Sequence, residues 1–273
     1  MRIRSVDLRA ISRLWRELSE FPAAEIDQAL IHYLDSAARL IGAENAGWIG
    51  AVRREAGPTD EMNGWRPRAV HLLHPSPARD RVIAELLDYM SRDIVDPHVK
   101  AIVAGAGTTR ACLRRELIDD ETWRRSWLYN DFLRVVDVED RLVGAHAVAG
   151  TAESYVYLDR GPRDPAFGER ERDLLHLLLA GAPDFHRETM AARGLLTILA
   201  RLSPREREVL RLLLTDLTEK EIAERLGLTA RTTHQYVVSV LRKIGVRGRV
   251  GLMARWLRWS RGGGAAPDHT TEE

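Results

Sequence analysis

The stretch Thr218-Glu219-Lys220-Glu221-Ile222-Ala223-Glu224-Arg225-Leu226-Gly227-Leu228-Thr229-Ala230-Arg231-Thr232-Thr233 decides the fold of the C-terminal part of this chain. Thr218 with Glu221 three residues later is a capping box, the reciprocal side-chain-to-backbone arrangement that starts a helix. Ile222, Ala223 and Leu226 give that helix an apolar side, and Gly227 is the residue type that ends one. Thr229, two residues on, is placed to cap a second helix, which runs through Val237, Val240, Leu241 and Ile244 to Gly245. A short helix, a tight glycine turn and a longer basic helix form the helix-turn-helix layout, whose second helix enters the major groove of duplex DNA.

Working outward, Ser203-Pro204-Arg205-Glu206 is another capping box, with proline at the first helical position. Val209, Leu210, Leu212, Leu213 and Leu214 supply the apolar face of the helix it starts. A fourth helix is predicted at about 250–259, with Trp256 and Trp259 serving either to complete a small core or to form a dimer contact. Residues 261–273, beginning Arg261-Gly262-Gly263-Gly264, read as a flexible tail.

The charge is unevenly distributed. The 273 residues carry a net +1, yet residues 1–200 sum to −4 and residues 201–260 to +7. No acidic residue occurs between Glu224 and Asp268, a stretch that holds Arg231, Arg242, Lys243, Arg247, Arg249, Arg255, Arg258 and Arg261. A short one-signed segment on a mildly acidic body is the electrostatic footprint of a nucleic-acid-binding module. A solvated basic face, or a patch for an acidic protein, is the other reading of charge alone.

Residues 203–259 resemble the LuxR/NarL/FixJ-type DNA-binding domain. The resemblance rests on LSPREREVL at 202–210, KEIAERLGLTARTT at 220–233 and VLRKIGVRGR at 240–249, in order and at the usual spacing. It covers about a fifth of the chain. It implies a four-helix module that binds double-stranded DNA as a homodimer and acts on the transcription machinery under an upstream sensor. Carried over by position, it implies that His234, Gln235 and Val238 face base edges. Gln235 has the chemistry for two hydrogen bonds to adenine, His234 for donation to guanine, and Val238 for a thymine methyl. It likewise implies phosphate contacts from Lys220, Arg231, Thr232, Tyr236, Arg242, Lys243 and Arg249. Thr233 stands where valine is common in the family, and Tyr236 where histidine is common.

The first 190 residues carry helical periodicity at 5–20 and 25–41, then strand-like pieces at 46–52 and 69–73 and a helix at 78–91. Strands follow at 142–149 and 154–158, and one long helix is predicted from Phe167 to about Met190. Helices enclosing short strands imply an α+β domain with an antiparallel sheet. The order resembles a GAF- or PAS-like sensory domain, most closely in ESYVYLDR and FGERERDLLHLLL. Such a resemblance implies a small ligand or partner held between sheet and helices. Trp123, Trp127, Tyr129, Tyr155 and Tyr157 are the candidate pocket residues. Asp96-Pro97, preceded by Tyr89, is similar to the acyl-homoserine-lactone-binding domains found upstream of related DNA-binding modules, so a quorum-sensing regulator is an alternative.

Other classes are disfavoured. Hydrophobic residues make up 45% and charged residues 30%, an ordinary globular balance. No apolar run approaches the ~20 residues of a membrane span, and no apolar stretch follows the basic N-terminus as a secretory signal requires. Cys112, the single cysteine, excludes an intramolecular disulfide and a Cys-based zinc finger. His71 and His74 are poorly spaced for a metal on a strand. Gly105-Ala106-Gly107-Thr108-Thr109-Arg110 lacks the third glycine of a dinucleotide loop and the Gly-Lys of a P-loop. Asp119-Asp120 lies mid-domain, unlike the acid pair of a receiver domain. The expectation is a cytoplasmic, non-enzymatic regulator without metal or cofactor. Its domains are a sensory or dimerisation domain (1–190), a linker (191–201), a DNA-binding domain (202–260) and a tail (261–273). An interaction adaptor with a basic helical module, and an enzyme fused to a DNA-binding domain, are the rivals.

Overall fold

A computed structural model describes residues 3–22, 25–54, 56–57, 59–196 and 202–253. The chain divides into two compact units between Leu195 and Leu196. None of the described helices is long and apolar enough to cross a membrane.

The first unit is built on a five-stranded antiparallel sheet. Its strands are β1 (Asn45–Arg53), β2 (Trp65–Leu72), β3 (Arg110–Leu113), β4 (Asp140–Ala149) and β5 (Ala152–Arg160), in the spatial order β2-β1-β5-β4-β3. β5 lies at the centre, and every one of its residues is buried. Strand residues alternate between faces, so each face needs its own cover. Helices α1 (Ser5–Glu20), α2 (Ile26–Ile41), α7 (Glu169–Ala180) and α8 (Pro183–Ala192) cover the face carrying Trp48, Gly144 and Val156. Helices α3 (Pro77–Ser91), α4 (Pro97–Ala104) and α6 (Asp120–Arg125), with a π-helical turn at Leu128–Leu133, cover the face carrying Ala51, Val143, Tyr155 and Tyr157. The short α5 (Arg114–Leu117) joins β3 to α6.

The α+β architecture read from the sequence is the one observed. One element differs: the single long helix expected from Phe167 to Met190 is two helices. Gly181 ends α7, and Pro183 sits at the start of α8, where its missing N–H costs nothing but where it would have clashed inside a continuous helix. Residues 191–192, expected as linker, complete α8, and the Leu195 side chain packs against Gly50 of β1.

Polar groups pin the helix-covered face. Asp7 of α1 accepts from the Arg4 side chain at 3.1 Å and from Arg170 of α7 at 2.9 Å, which with the Arg4 amide brings its pKa down to about 2. Beneath the helices, the Trp48 indole N–H donates to Ser154 Oγ at 2.7 Å, and that hydroxyl is hydrogen-bonded to Nδ1 of His186 at 2.8 Å. The His146 ring stacks on His186. Burial, then the nearby His146, pushes the His186 pKa well below its ordinary value.

The second unit contains α9 (Pro204–Leu213), α10 (Glu219–Leu226) and α11 (Ala230–Ile244) around a core of Val209, Leu210, Leu213, Ile222, Val237, Val240, Ile244 and Leu252. Ser203, Thr218 and Thr229 cap these helices as expected. Gly227 and Gly245 end the latter two in the left-handed conformation, at φ 62° and 71°, which glycine adopts without a steric penalty. Residues 249–253 are helical. The rest of the expected fourth helix, with Trp256 and Trp259, and the tail lie outside the described residues.

Candidate functional site

In the second unit, α11 presents a polar stripe opposite its core face. Thr233, Val237, Val240 and Ile244 point inward, whereas Arg231, His234, Gln235, Val238 and Arg242 are exposed along one side. Those five recur at helical spacing, so they lie on one continuous surface. Val238, at 48% exposed, is the apolar member of that surface. No acidic residue lies in the first turn of α11, which Thr229 caps. Lys220 is also exposed, on α10.

The other sequence-derived contact residues have partners within the fold. His234 Nδ1 lies 3.0 Å from a carboxylate oxygen of Glu219, leaving its Nε2 outward. The Thr232 amide and hydroxyl are both engaged by Thr229, at 3.1 and 2.8 Å. Tyr236 is half-buried against the core. Lys243 donates to Glu206 at 2.7 Å. Arg249 donates to the Leu217 carbonyl at 2.6 Å and also to that of Thr215, tying the start of the last helical segment to the loop between α9 and α10.

Glu206 is the residue that sequence reasoning undervalued. It is the acidic member of the α9 capping box, accepting from the Ser203 amide at 2.6 Å, and it also accepts from Ser239 Oγ and Lys243 Nζ on α11, both at 2.7 Å. Burial alone would raise its pKa. The Lys243, Ser203 and Ser239 hydrogen bonds outweigh that and bring it down to about 2. One carboxylate therefore starts α9 and braces α11. Its three-residue spacing from Ser203 was legible, but its long-range partners were not. Glu219, which holds His234, was missed for the same reason.

In the first unit, a cavity of about 100 Å³, partly open to solvent, lies between the sheet and helices α3 and α4. Its wall is dominated by Ile49, Met62, Trp65, Leu86, Val99 and Val103. Of the aromatic residues singled out from sequence, Tyr155 and Tyr157 line it. Trp123 and Tyr129 belong to the adjoining core, and Trp127 packs on that core beside Tyr89. Those three are therefore not on the cavity wall. Their rings stack among themselves and their neighbours, Trp123 on Tyr129 at 5.0 Å between centroids, so they consolidate the helical cover rather than line the space beneath it. The apolar wall residues on α3 and α4, with Met62 and Trp65, carried no distinguishing signature, and His98 on α4 was not singled out either. The Asp96 carboxylate is fully buried and caps α4, accepting from the His98 amide at 2.9 Å and from the Leu128 amide at 3.2 Å. Gly105 and Gly107 serve the connection from α4 to β3, and the Gly107 amide donates to Glu153 at 2.6 Å. Among the described residues, no group of three His, Cys, Asp or Glu side chains is arranged to hold a metal ion.

Residues 200–255 match the family described as bacterial regulatory proteins, luxR family. The spore germination protein GerE of Bacillus subtilis (strain 168) is 40% identical over 57 residues, 21% of this chain and 77% of that protein. The probable HTH-type transcriptional regulator GfsR of Streptomyces halstedii is 39% identical over 56 residues, 20% of this chain and 23% of that protein. Among solved structures, SdiA in complex with octanoyl-rac-glycerol superposes over 93% of this chain and 95% of its own at 15% identity, with a TM-score of 0.49. A second structure, of Escherichia coli SdiA, covers 89% of this chain and 94% of its own at 14% identity, with a TM-score of 0.46.

Proposed function

The chain belongs to the luxR family of bacterial regulatory proteins, and from that premise we propose how its two units divide the work. It is a DNA-binding transcriptional regulator. In our reading α11 is the recognition helix, with Gln235, His234 and Val238 toward base edges and Arg231, Arg242 and Lys220 toward phosphates. Thr232, Tyr236, Lys243 and Arg249 are assigned to the same phosphate-facing rim, with part of their bonding capacity spent on holding the module together. The observation that carries this assignment is the exposed stripe Arg231–His234–Gln235–Val238–Arg242 on a helix whose opposite face is core.

The module acts as a homodimer whose two recognition helices meet half-sites about 34 Å apart, one helical turn of DNA. The first unit serves as the sensory domain, with the apolar cavity as its small-ligand site. A ligand that favours one arrangement of the units shifts DNA affinity by its differential affinity for that arrangement. The protein works in the cytoplasm, by binding rather than turnover. What supports the sensory role is the cavity itself, lined on one side by β1, β2, β4 and β5 and on the other by α3 and α4.

The test is selection of the full chain on a random duplex library at two salt concentrations, followed by sequencing. An enriched motif with two half-sites supports the reading, and retention should fall steeply with salt as phosphate contacts require. Retention without an enriched motif, or a footprint over one half-site at saturation, would overturn the dimeric, sequence-reading assignment.

A further inference from the structure

The exposed stripe of α11 contains one side chain whose hydrogen-bonding sense is set by another helix. His234 Nδ1 lies 3.0 Å from a carboxylate oxygen of Glu219, the first residue of α10, and both side chains stay partly open to solvent. The cap before it puts Glu219 there. Thr218 starts α10, so the next residue stands at the positive end of that helix, where a carboxylate is favoured. The second acid of the same turn is spent, since Glu221 accepts from the Thr218 amide and hydroxyl, both at 2.7 Å. Glu219 takes no part in that cap, and among the described residues its side-chain hydrogen bond is the one to His234. A carboxylate against a stripe assigned to DNA opposes phosphate binding, so attraction to the duplex does not account for it. Its effect on the imidazole does. A carboxylate can only accept, whereas a neutral imidazole carries a proton on one nitrogen and a lone pair on the other, and the bond made by one nitrogen decides which is which. Beside Glu219 the proton stands on Nδ1, and Nε2, at the outer end of the ring, offers a lone pair.

We propose that Glu219 is a positioning residue for base reading: it holds His234 in the Nδ1–H form, so that the ring enters the major groove as an acceptor and takes a hydrogen bond from the exocyclic amino group of adenine or cytosine. This rests on the reading of α11 as the recognition helix. Donation to guanine N7 or O6, which the chemistry of a lone histidine also allows, needs the proton on Nε2. The ring would then set the Nδ1 lone pair against a carboxylate oxygen 3.0 Å away, a repulsive contact. The stripe therefore carries three different readers. Gln235 both gives and takes, Val238 meets a methyl group, and His234 only takes.

The experiment uses the full chain at pH 8 and duplexes selected from a random library. Comparing the motifs selected by the parent and by H234A locates the base pair that His234 reads. Two altered duplexes are then titrated in competition with the selected one. In the first, the purine of that pair carries carbon in place of N7; in the second, the pair lacks its exocyclic amino group. The parent is expected to lose about tenfold when the amino group is removed and about twofold at most when N7 is removed. H234A should respond about equally to the two, which separates the protein contact from any change in the duplex itself. In E219Q the amide gives as well as takes, so both ring forms are open to His234. The amino-group penalty should then shrink to about threefold and removal of N7 should begin to weaken binding, while affinity for unselected duplex holds or rises because a negative charge is gone. The readout is a ratio within each variant, which a merely structural role of Glu219 would not move. A parent that needs N7 and not the amino group, or an E219Q variant with the parent's ratio, would overturn the role of Glu219 and leave α11 as the recognition helix. A motif with no position that depends on His234 would do the same. Absence of any enriched motif would remove the reading of α11, and this inference with it.

Discussion

The two units differ in how far they satisfy their buried polar groups, although the C-terminal module also leaves one, the Thr233 hydroxyl, without a partner. In the C-terminal module the buried carboxylate of Glu206 is surrounded by donors from its own chain, and each helix start is capped by Ser203, Thr218 or Thr229. In the N-terminal unit the imidazole of His98 and the indole N–H of Trp123 are buried without partners. The difference teaches what each unit is for. A module that reads a rigid groove gains from being finished before it meets its target. On the sensory role proposed for the first unit, a cavity gains from being left incomplete, since a ligand that completes it then has something to change.

The contrast can be broken most directly with acid. His98 and His186 have lowered pKa values in the folded unit, so below about 6.5 the unfolded chain binds protons that the folded one does not. Their stabilising contribution is full above that pH and is lost as the pH falls. His98 alone should remove about 2 kcal/mol between pH 6.5 and 5, and His186 acts in the same sense. Glu206 contributes stability above about pH 4.5 that is lost only as the pH falls from there toward 2. Hydrogen exchange by mass spectrometry on the full chain at pH 5 should therefore show the N-terminal sheet opening while α9–α11 stay protected. The reverse order would defeat the comparison.

The second largest effect is expected from Glu206→Ala. It removes a cap and leaves Lys243 and Ser239 without their acceptor, which should cost about 2 kcal/mol by chemical denaturation. A matched pair of enlargements comes next. Ala223→Leu, in the packed core of the module, should destabilise by about 1–3 kcal/mol. Ala51→Leu, whose side chain faces the cavity, should cost under ~1 kcal/mol. Equal penalties would mean that the cavity is not usable space.

Smaller effects concern DNA. Arg242→Ala should weaken binding to all duplexes by severalfold and reduce the salt slope by about 1, whereas Gln235→Ala should relax preference at one base position. Competition titrations against matched and mismatched duplexes separate the two. Least is expected from Thr233→Val. The Thr233 hydroxyl is buried and unpartnered, so its removal should be neutral or stabilising by up to ~1 kcal/mol.

Much of the C-terminal module was legible because its boundaries are local chemistry: a hydroxyl and a carboxylate three residues apart start a helix, and a glycine ends it. The same local reasoning found β4 and β5 through their apolar runs and placed a helix at 78–91, where α3 lies. It failed where the cause was long-range. The break between α7 and α8 was overlooked because the apolar periodicity continues across Gly181-Ala182-Pro183, although Pro183 was there to be read. Strand β3 is four residues long and is held as a strand only by its pairing with β4, from Arg110 opposite Ala145 to Leu113 opposite Leu142. The cavity wall had no sequence signature, because Val99, Ile102 and Val103 look like any other core residues until the space beside them is seen. Aromatic clustering pointed to five pocket residues, and two of them line the wall.

The placement of β5 at the centre of the sheet has a consequence for the birth of the protein. β1 pairs with β5 along its whole length, Asn45 opposite Asp159 through Val52 opposite Ala152. At ribosomal rates of roughly 5–20 residues per second, β1 leaves synthesis about 5–20 s before its central partner exists. During that interval one edge of the β1–β2 hairpin stands unpaired, the kind of edge that recruits stray strands. The C-terminal module starts and ends each of its helices α9–α11 within 8 to 15 residues. The N-terminal unit thus sets the pace of folding, and a crowded or overheated cell should lose this regulator to aggregation through its first half.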